Sequence, residues 1–170
     1  MLGHPEVQDF GRKFKIAFSG CEDEPCGLVT FHDLGAVAEM RDGKRGFRVV
    51  VGGGLGAVPV LAKELEEWCP EEELMPLTQA VCRVFARLGE KDSRAKARIK
   101  FLVKKLGMDE FKRLVAEERK TLRPDPRWTD FLAHLHATDE KPIRKAAPLP
   151  AGGSAAFQRW LKTNIRPQSQ

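Results

Sequence analysis

Arg41-Asp42-Gly43-Lys44, set between two runs rich in apolar residues, restricts the fold of this chain more than any other segment. An Asp-Gly pair between strand-like runs signals a hairpin, because both residues tolerate the backbone that a two-residue turn needs. The run after the turn, Phe47-Arg48-Val49-Val50-Val51, leads directly into Gly52-Gly53-Gly54-Leu55-Gly56. The run before it covers Leu28 to Phe31 and extends through Ala36 to Glu39. A third strand-like run, Lys13 to Phe18, comes earlier still. Side chains alternate along a strand, so Lys13 and Lys15 share one face while Phe14, Ile16 and Phe18 point to a core. Ammonium groups held side by side repel one another. Either they are solvated at a sheet edge, where lysine blocks edge-to-edge pairing, or something anionic faces them.

Helical periodicity takes over after the glycine loop. Val58 to Trp68 reads as an amphipathic helix, with Val60, Leu61 and Leu65 inward and Lys63, Glu64, Glu66 and Glu67 outward. Pro70-Glu71-Glu72-Glu73 opens a second helix, its acids suited to the positive N-terminal end, and Gly89 closes it. Leu77, Val81, Val84, Phe85 and Leu88 form its core side. A third helix is expected from about Asp92 to Leu106, stopped by Gly107, and a fourth from about Asp109 to Arg119. The expected class is therefore α+β, a small mixed or antiparallel sheet followed by packed helices. Composition changes after Lys120. Residues 1–120 are expected to form the domain, 121–154 an extended segment with proline and glycine, and 155–170 a short helix.

The third helical run is strongly basic, with Lys91, Arg94, Lys96, Arg98, Lys100, Lys104 and Lys105 against Asp92. On a helix Arg94 and Arg98 share a face. With a net charge of +5, the chain mildly favours anionic partners. Nucleic acid is disfavoured, because no aromatic residues interleave these charges. Gly52-Gly53-Gly54-Leu55-Gly56 suits a close backbone approach to an anion. It lacks the spacing of a dinucleotide fingerprint and the Lys-Ser ending of a P-loop, and a plain tight turn explains it equally well. His32 and Asp33 are neighbours and would face opposite sides of a strand, so a turn or polar contact is expected of them. His134 and His136 have nothing to mark them as ligands, and no nucleophile–base constellation stands out. Cys21 and Cys26 have no second close pair to complete a zinc site, Cys82 reads as a core residue and Cys69 as the end of a helix, so no metal ligands are assigned. No apolar run approaches the length of a membrane span and no signal peptide precedes the domain, which makes the cytoplasm the default expectation.

Taken in order, Arg12-Lys13-Phe14-Lys15-Ile16, His32-Asp33, Gly52-Gly53-Gly54-Leu55-Gly56 and Arg94-Ala95-Lys96-Ala97-Arg98-Ile99-Lys100-Phe101 resemble one family, the sirohaem-dependent sulfite and nitrite reductases. The resemblance runs from Leu2 to Val115 and returns more weakly over Phe157 to Pro167. It implies a sirohaem-binding fold and the reduction of sulfite to sulfide or nitrite to ammonia, at a sirohaem coupled to a 4Fe-4S cluster. It also implies that Lys13 and Lys15 are catalytic, holding the substrate anion and helping to deliver protons. By the same resemblance Arg12, Lys13, Lys15, Arg94 and Arg98 contact the cofactor, the arginines through its carboxylates, and Gly52, Gly53, Gly54 and Gly56 let the backbone approach the macrocycle. The implied partners are sulfite or nitrite, an electron donor such as ferredoxin or a flavoprotein, and a cluster-bearing half or separate polypeptide. No membrane partner is implied.

The departures are specific. Phe10-Gly11 stands where the family has leucine-proline, and neither the C-x5-C nor the C-x3-C cluster pattern is present. The arginines that complete the family's anion pocket would lie before Met1. The expectation is a partial sirohaem domain that does not complete the reaction alone. Two other readings stay open, a small basic module for anions or nucleic acid and a truncation product without function.

Overall fold

Asp42 and Gly43 adopt φ values of 51° and 73° in the computed structural model, which describes residues 3–21, 25, 27–137, 148 and 152–165. Their turn joins β2 (Leu34–Arg41) to β3 (Lys44–Val51) in an antiparallel register running from Arg41 opposite Lys44 to Leu34 opposite Val51. β1 (Ile16–Ser19) lies parallel to β2, and β4 (Lys63–Pro70) pairs antiparallel with β3. The result is a four-stranded mixed sheet of order β1-β2-β3-β4. Four helices follow in the same compact unit, which spans Met1–Ala133: α1 (Leu74–Leu88), α2 (Ile99–Leu106), α3 (Met108–Thr121) and α4 (Pro126–Ala133). The α+β architecture is the one expected from the pattern of runs.

One face of the sheet carries the main core. Leu34, Ala36, Val49, Val51, Leu65 and Cys69 cluster with Leu77, Val81, Val84 and Phe85 of α1, Ile99 and Val103 of α2, and Phe111 and Val115 of α3. Such burial of apolar surface is the principal stabilising term. Phe10 and Phe14 extend this core along the approach to β1, with ring centroids 5.1 Å (Phe10) and 6.0 Å (Phe14) from Phe85. The opposite face keeps a small cluster of Ala17, Val29 and Val37.

Four expectations need correction. β1 starts at Ile16, so Lys13 and Lys15 stand just ahead of it, and Phe18 is exposed at the sheet edge instead of buried. Leu28 to Phe31 is not strand: Leu28 has a φ of 54° and Val29–Phe31 forms a 3-10 turn. Val58 to Trp68 is not a helix. Its second half enters β4, where Leu65 is buried, and Leu61 ahead of that strand is 60 % exposed. Register shifts in the β3–β4 pairing break the alternation of β4, and its charged residues are those of an edge strand, so a period-2 signal was absent. Finally, the third helix begins at Ile99 and not near Asp92. The Glu90 side chain accepts the N–H groups of Asp92 and Ser93, and a turn through Lys96 sets buried Ala97 against Gly11. A Cβ on Gly11 would come within 2.7 Å of the Glu90 carbonyl oxygen, which accounts for glycine at that position.

The second unit spans His134–Gln170. Its described helix, α5 (Ala155–Asn164), is capped by Ser154, whose hydroxyl accepts the Phe157 N–H, and Phe157 stacks near Trp160. Cys26 lies outside the described residues.

Candidate functional site

The segments singled out in the sequence converge on one buried carboxylate. Asp33 ends the turn before β2 and is fully inaccessible to solvent. Its Oδ1 accepts Nε of Arg98 at 2.9 Å and its Oδ2 accepts Nη2 at 2.8 Å, a two-pronged ion pair. Oδ2 also accepts the backbone N–H of Lys15 at 2.9 Å. The backbone carbonyl of Asp33 takes the Gly52 N–H at 2.9 Å, while Leu34 N–H donates to the Lys15 carbonyl. One residue thus ties together the lysine segment, the head of α2 and the glycine loop. Burial pushes the Asp33 carboxyl above the usual carboxylate range, opposed chiefly by Arg98.

Around this clasp the cations divide into two kinds. Lys13 and Lys15 are exposed, and neither ammonium meets a carboxylate among the described residues. Arg94 is exposed in the turn before α2, its carbonyl reached by Arg12 Nη1 at 3.5 Å. Arg98 is the N-cap of α2 in extended conformation, so Arg94 and Arg98 do not share a helix face. Lys100, in contrast, is only 5 % exposed. Its Nζ donates to the carbonyls of Leu55 at 3.0 Å and Val58 at 2.6 Å, anchoring the glycine loop to α2. Burial pulls this ammonium below the ordinary lysine range, with Arg98 and Arg12 adding like-charge repulsion.

The glycines serve packing first. Gly52 and Gly54 spend their N–H groups internally, on Asp33 and on Val60, and are not free anion donors. Gly53 presses on the turn before β2, and Gly56, at a φ of 102°, is open to solvent. His32 donates through Nδ1 to the Leu28 carbonyl at 2.8 Å, a turn contact as expected. Asp33 and Lys100 are the two residues whose importance the sequence reading missed. Lys100 lies three residues before Val103 on the apolar flank of α2, which hints at its burial. Removing the ammonium by Lys100→Met leaves the Leu55 and Val58 carbonyls without their donor. Urea unfolding is expected to show a loss of about 1–3 kcal/mol; an unchanged midpoint would show that the loop holds without it.

Among the described residues no cluster of three or more His, Cys, Asp or Glu side chains is disposed to hold a metal. Cys69 and Cys82 are buried, and burial pushes both thiols up to about 12, far from the thiolate that binds iron. No described helix is long and apolar enough to cross a membrane.

Comparison with known proteins identifies relatives of this chain. The profile of the family described as "Nitrite and sulphite reductase 4Fe-4S domain" matches residues 1–122. Sulfite reductase (ferredoxin) 1 of Mycolicibacterium paratuberculosis is 37 % identical over 118 residues, covering 69 % of this chain and 21 % of that protein. Ferredoxin–nitrite reductase of Leptolyngbya laminosa is 32 % identical over 117 residues, covering 68 % of this chain and 23 % of its own length. The solved structure of the Mycobacterium tuberculosis NirA protein superposes with a TM-score of 0.62 at 34 % identity, over 72 % of this chain and 22 % of that one. The chain belongs to the nitrite and sulphite reductase family. It spans about a fifth of the length of the curated relatives it matches.

Proposed function

We propose that this chain supplies part of the sirohaem and substrate site of a nitrite or sulfite reductase, with Lys13 and Lys15 facing the substrate anion. The observation that carries this reading is a pair of exposed ammonium groups with no acidic partner among the described residues, held beside an arginine-rich cluster in a member of this family. The donor set fits sirohaem, a tetrapyrrole with eight carboxylates, since desolvating such a group demands cations and charge-assisted hydrogen bonds. Arg98 keeps Nη1 without a partner among the described residues, while Arg12 and Arg94 are the further candidates for carboxylates. Of the loop glycines Gly56 is open to solvent, while Gly52, Gly53 and Gly54 are buried and pack against the chain itself. The 4Fe-4S cluster does not fit the described residues, and its ligands are assigned to the remainder of a longer assembly, as is the docking of a donor such as ferredoxin.

Sirohaem, when bound, supplies the iron at which the oxyanion is reduced. This chain's contribution is electrostatic and acid–base. With sirohaem and substrate bound, the two ammonium groups would neutralise the anion and supply protons, a role in which lysine acts as a point charge with three donors. In the loaded enzyme that contains this chain, Lys13→Ala combined with Lys15→Ala is expected to lower sulfite or nitrite turnover by about 100-fold or more. Both positions are exposed, so the unfolding midpoint should move by no more than about 0.5 kcal/mol equivalent. Unaltered turnover of both anions would sink the reading.

A further inference from the structure

We infer that Asp33 is a positioning residue for the anion-binding lysines, acting through the backbone of Lys15 and not through contact with any ligand. This inference rests on the function proposed for Lys13 and Lys15. Both residues lie just ahead of β1, and the sheet reaches no further than the Lys15 carbonyl. Two hydrogen bonds remain to hold Lys15: its N–H to Asp33 Oδ2 and its carbonyl to the Leu34 N–H. Both run to the start of β2. The Asp33 carboxylate is in turn held by Arg98 from the head of α2, and its carbonyl by Gly52. A residue gripped at its carboxylate and at its backbone carbonyl is a rigid acceptor. It therefore sets where the Lys15 backbone lies, and with it the direction in which the Lys13 and Lys15 side chains leave.

The inference makes a prediction opposite in sign to simple electrostatics. Asp33 is an anion next to Arg98 and Lys100, so neutralising it raises the local positive charge and on charge alone tightens anion binding. A positioning role requires the reverse. The test is a fluorescence titration of the full chain with uroporphyrin, an iron-free tetrapyrrole with eight carboxylates, alongside amide hydrogen exchange. Asp33→Asn is expected to weaken uroporphyrin binding about 10-fold, roughly one decade of affinity. The Lys15 amide should exchange at least about 10-fold faster while the Val81 amide in the core of α1 keeps its protection, which marks a local and not a global loosening. Equal or tighter binding by Asp33→Asn, with Lys13→Ala/Lys15→Ala weakened, overturns the inference and leaves the proposed function standing. Lysine variants that bind like the wild type overturn both.

A second variant covers the case in which Asp33→Asn does not fold. Replacing the Phe14–Lys15 amide by an ester, through semisynthesis with the α-hydroxy analogue of lysine, deletes the N–H that Asp33 accepts. It leaves every side chain and the Asp33–Arg98 pair intact. Weakened uroporphyrin binding is expected there as well, and wild-type affinity in the ester protein overturns the inference.

Discussion

Asp33→Ala is expected to destabilise the protein by about 3–5 kcal/mol, the cost of stripping one partner from a buried ion pair. The reason lies in what is left behind. Arg98 has a side chain only 12 % exposed, and the carboxylate it pairs with is 1 % exposed. Without Asp33 the guanidinium keeps its charge, loses two charge-assisted hydrogen bonds and has little access to water. The Lys15 N–H loses its acceptor at the same time. Chemical denaturation followed by circular dichroism reads the loss as a lower midpoint at unchanged slope. The double variant Asp33→Ala/Arg98→Met is expected to recover most of it, since a buried pair replaced by apolar groups is often close to neutral. If the single variant loses less than about 1 kcal/mol, the pair is solvated and the clasp described above does not hold the fold.

Gly53→Ala is expected to cost about 1–3 kcal/mol by overpacking, and to loosen the glycine loop. A Cβ at this position would lie 2.4 Å from the Thr30 carbonyl oxygen and 2.7 Å from that of His32, both backbone atoms that cannot rotate away. Relief requires the loop to part from the turn before β2. The Gly52 N–H to Asp33 bond and the Ala62 N–H to Thr30 bond cross that same contact, so both are expected to weaken. Amide exchange at Gly52 and Ala62 checks this directly. Gly56→Ala is a useful contrast, because nothing lies within 4 Å of its added carbon and its cost comes from its φ of 102° alone. Equal behaviour of the two variants would contradict a steric role for Gly53.

What could be read from the residues was uneven, and for physical reasons. The hairpin was legible because Asp42-Gly43 encodes its geometry locally, and α1 because its apolar stripe is long and regular. β4 was not legible, since its strand character comes from backbone pairing to β3 through a shifted register while its own side chains are mostly charged. The start of α2 was misjudged because Glu90 and the turn after it compete for N–H groups that a helix would use. The motifs of the site were visible as basic residues and glycines. Their common anchor was not, because the Asp33–Arg98 pair joins residues 65 apart in sequence and no periodicity reports such a contact.

That separation also orders events during synthesis. The β2–β3 hairpin closes over a two-residue turn, whereas the clasp needs Arg98, and the loop anchor needs Lys100 to reach back 42 and 45 residues to Val58 and Leu55. Contacts of long range are made after local ones, because closing a loop costs entropy before the contact repays it. Lys13, Lys15 and Asp33 are therefore made well ahead of Arg98, and the clasp on the Asp33 carboxylate closes only after the head of α2 has been synthesised.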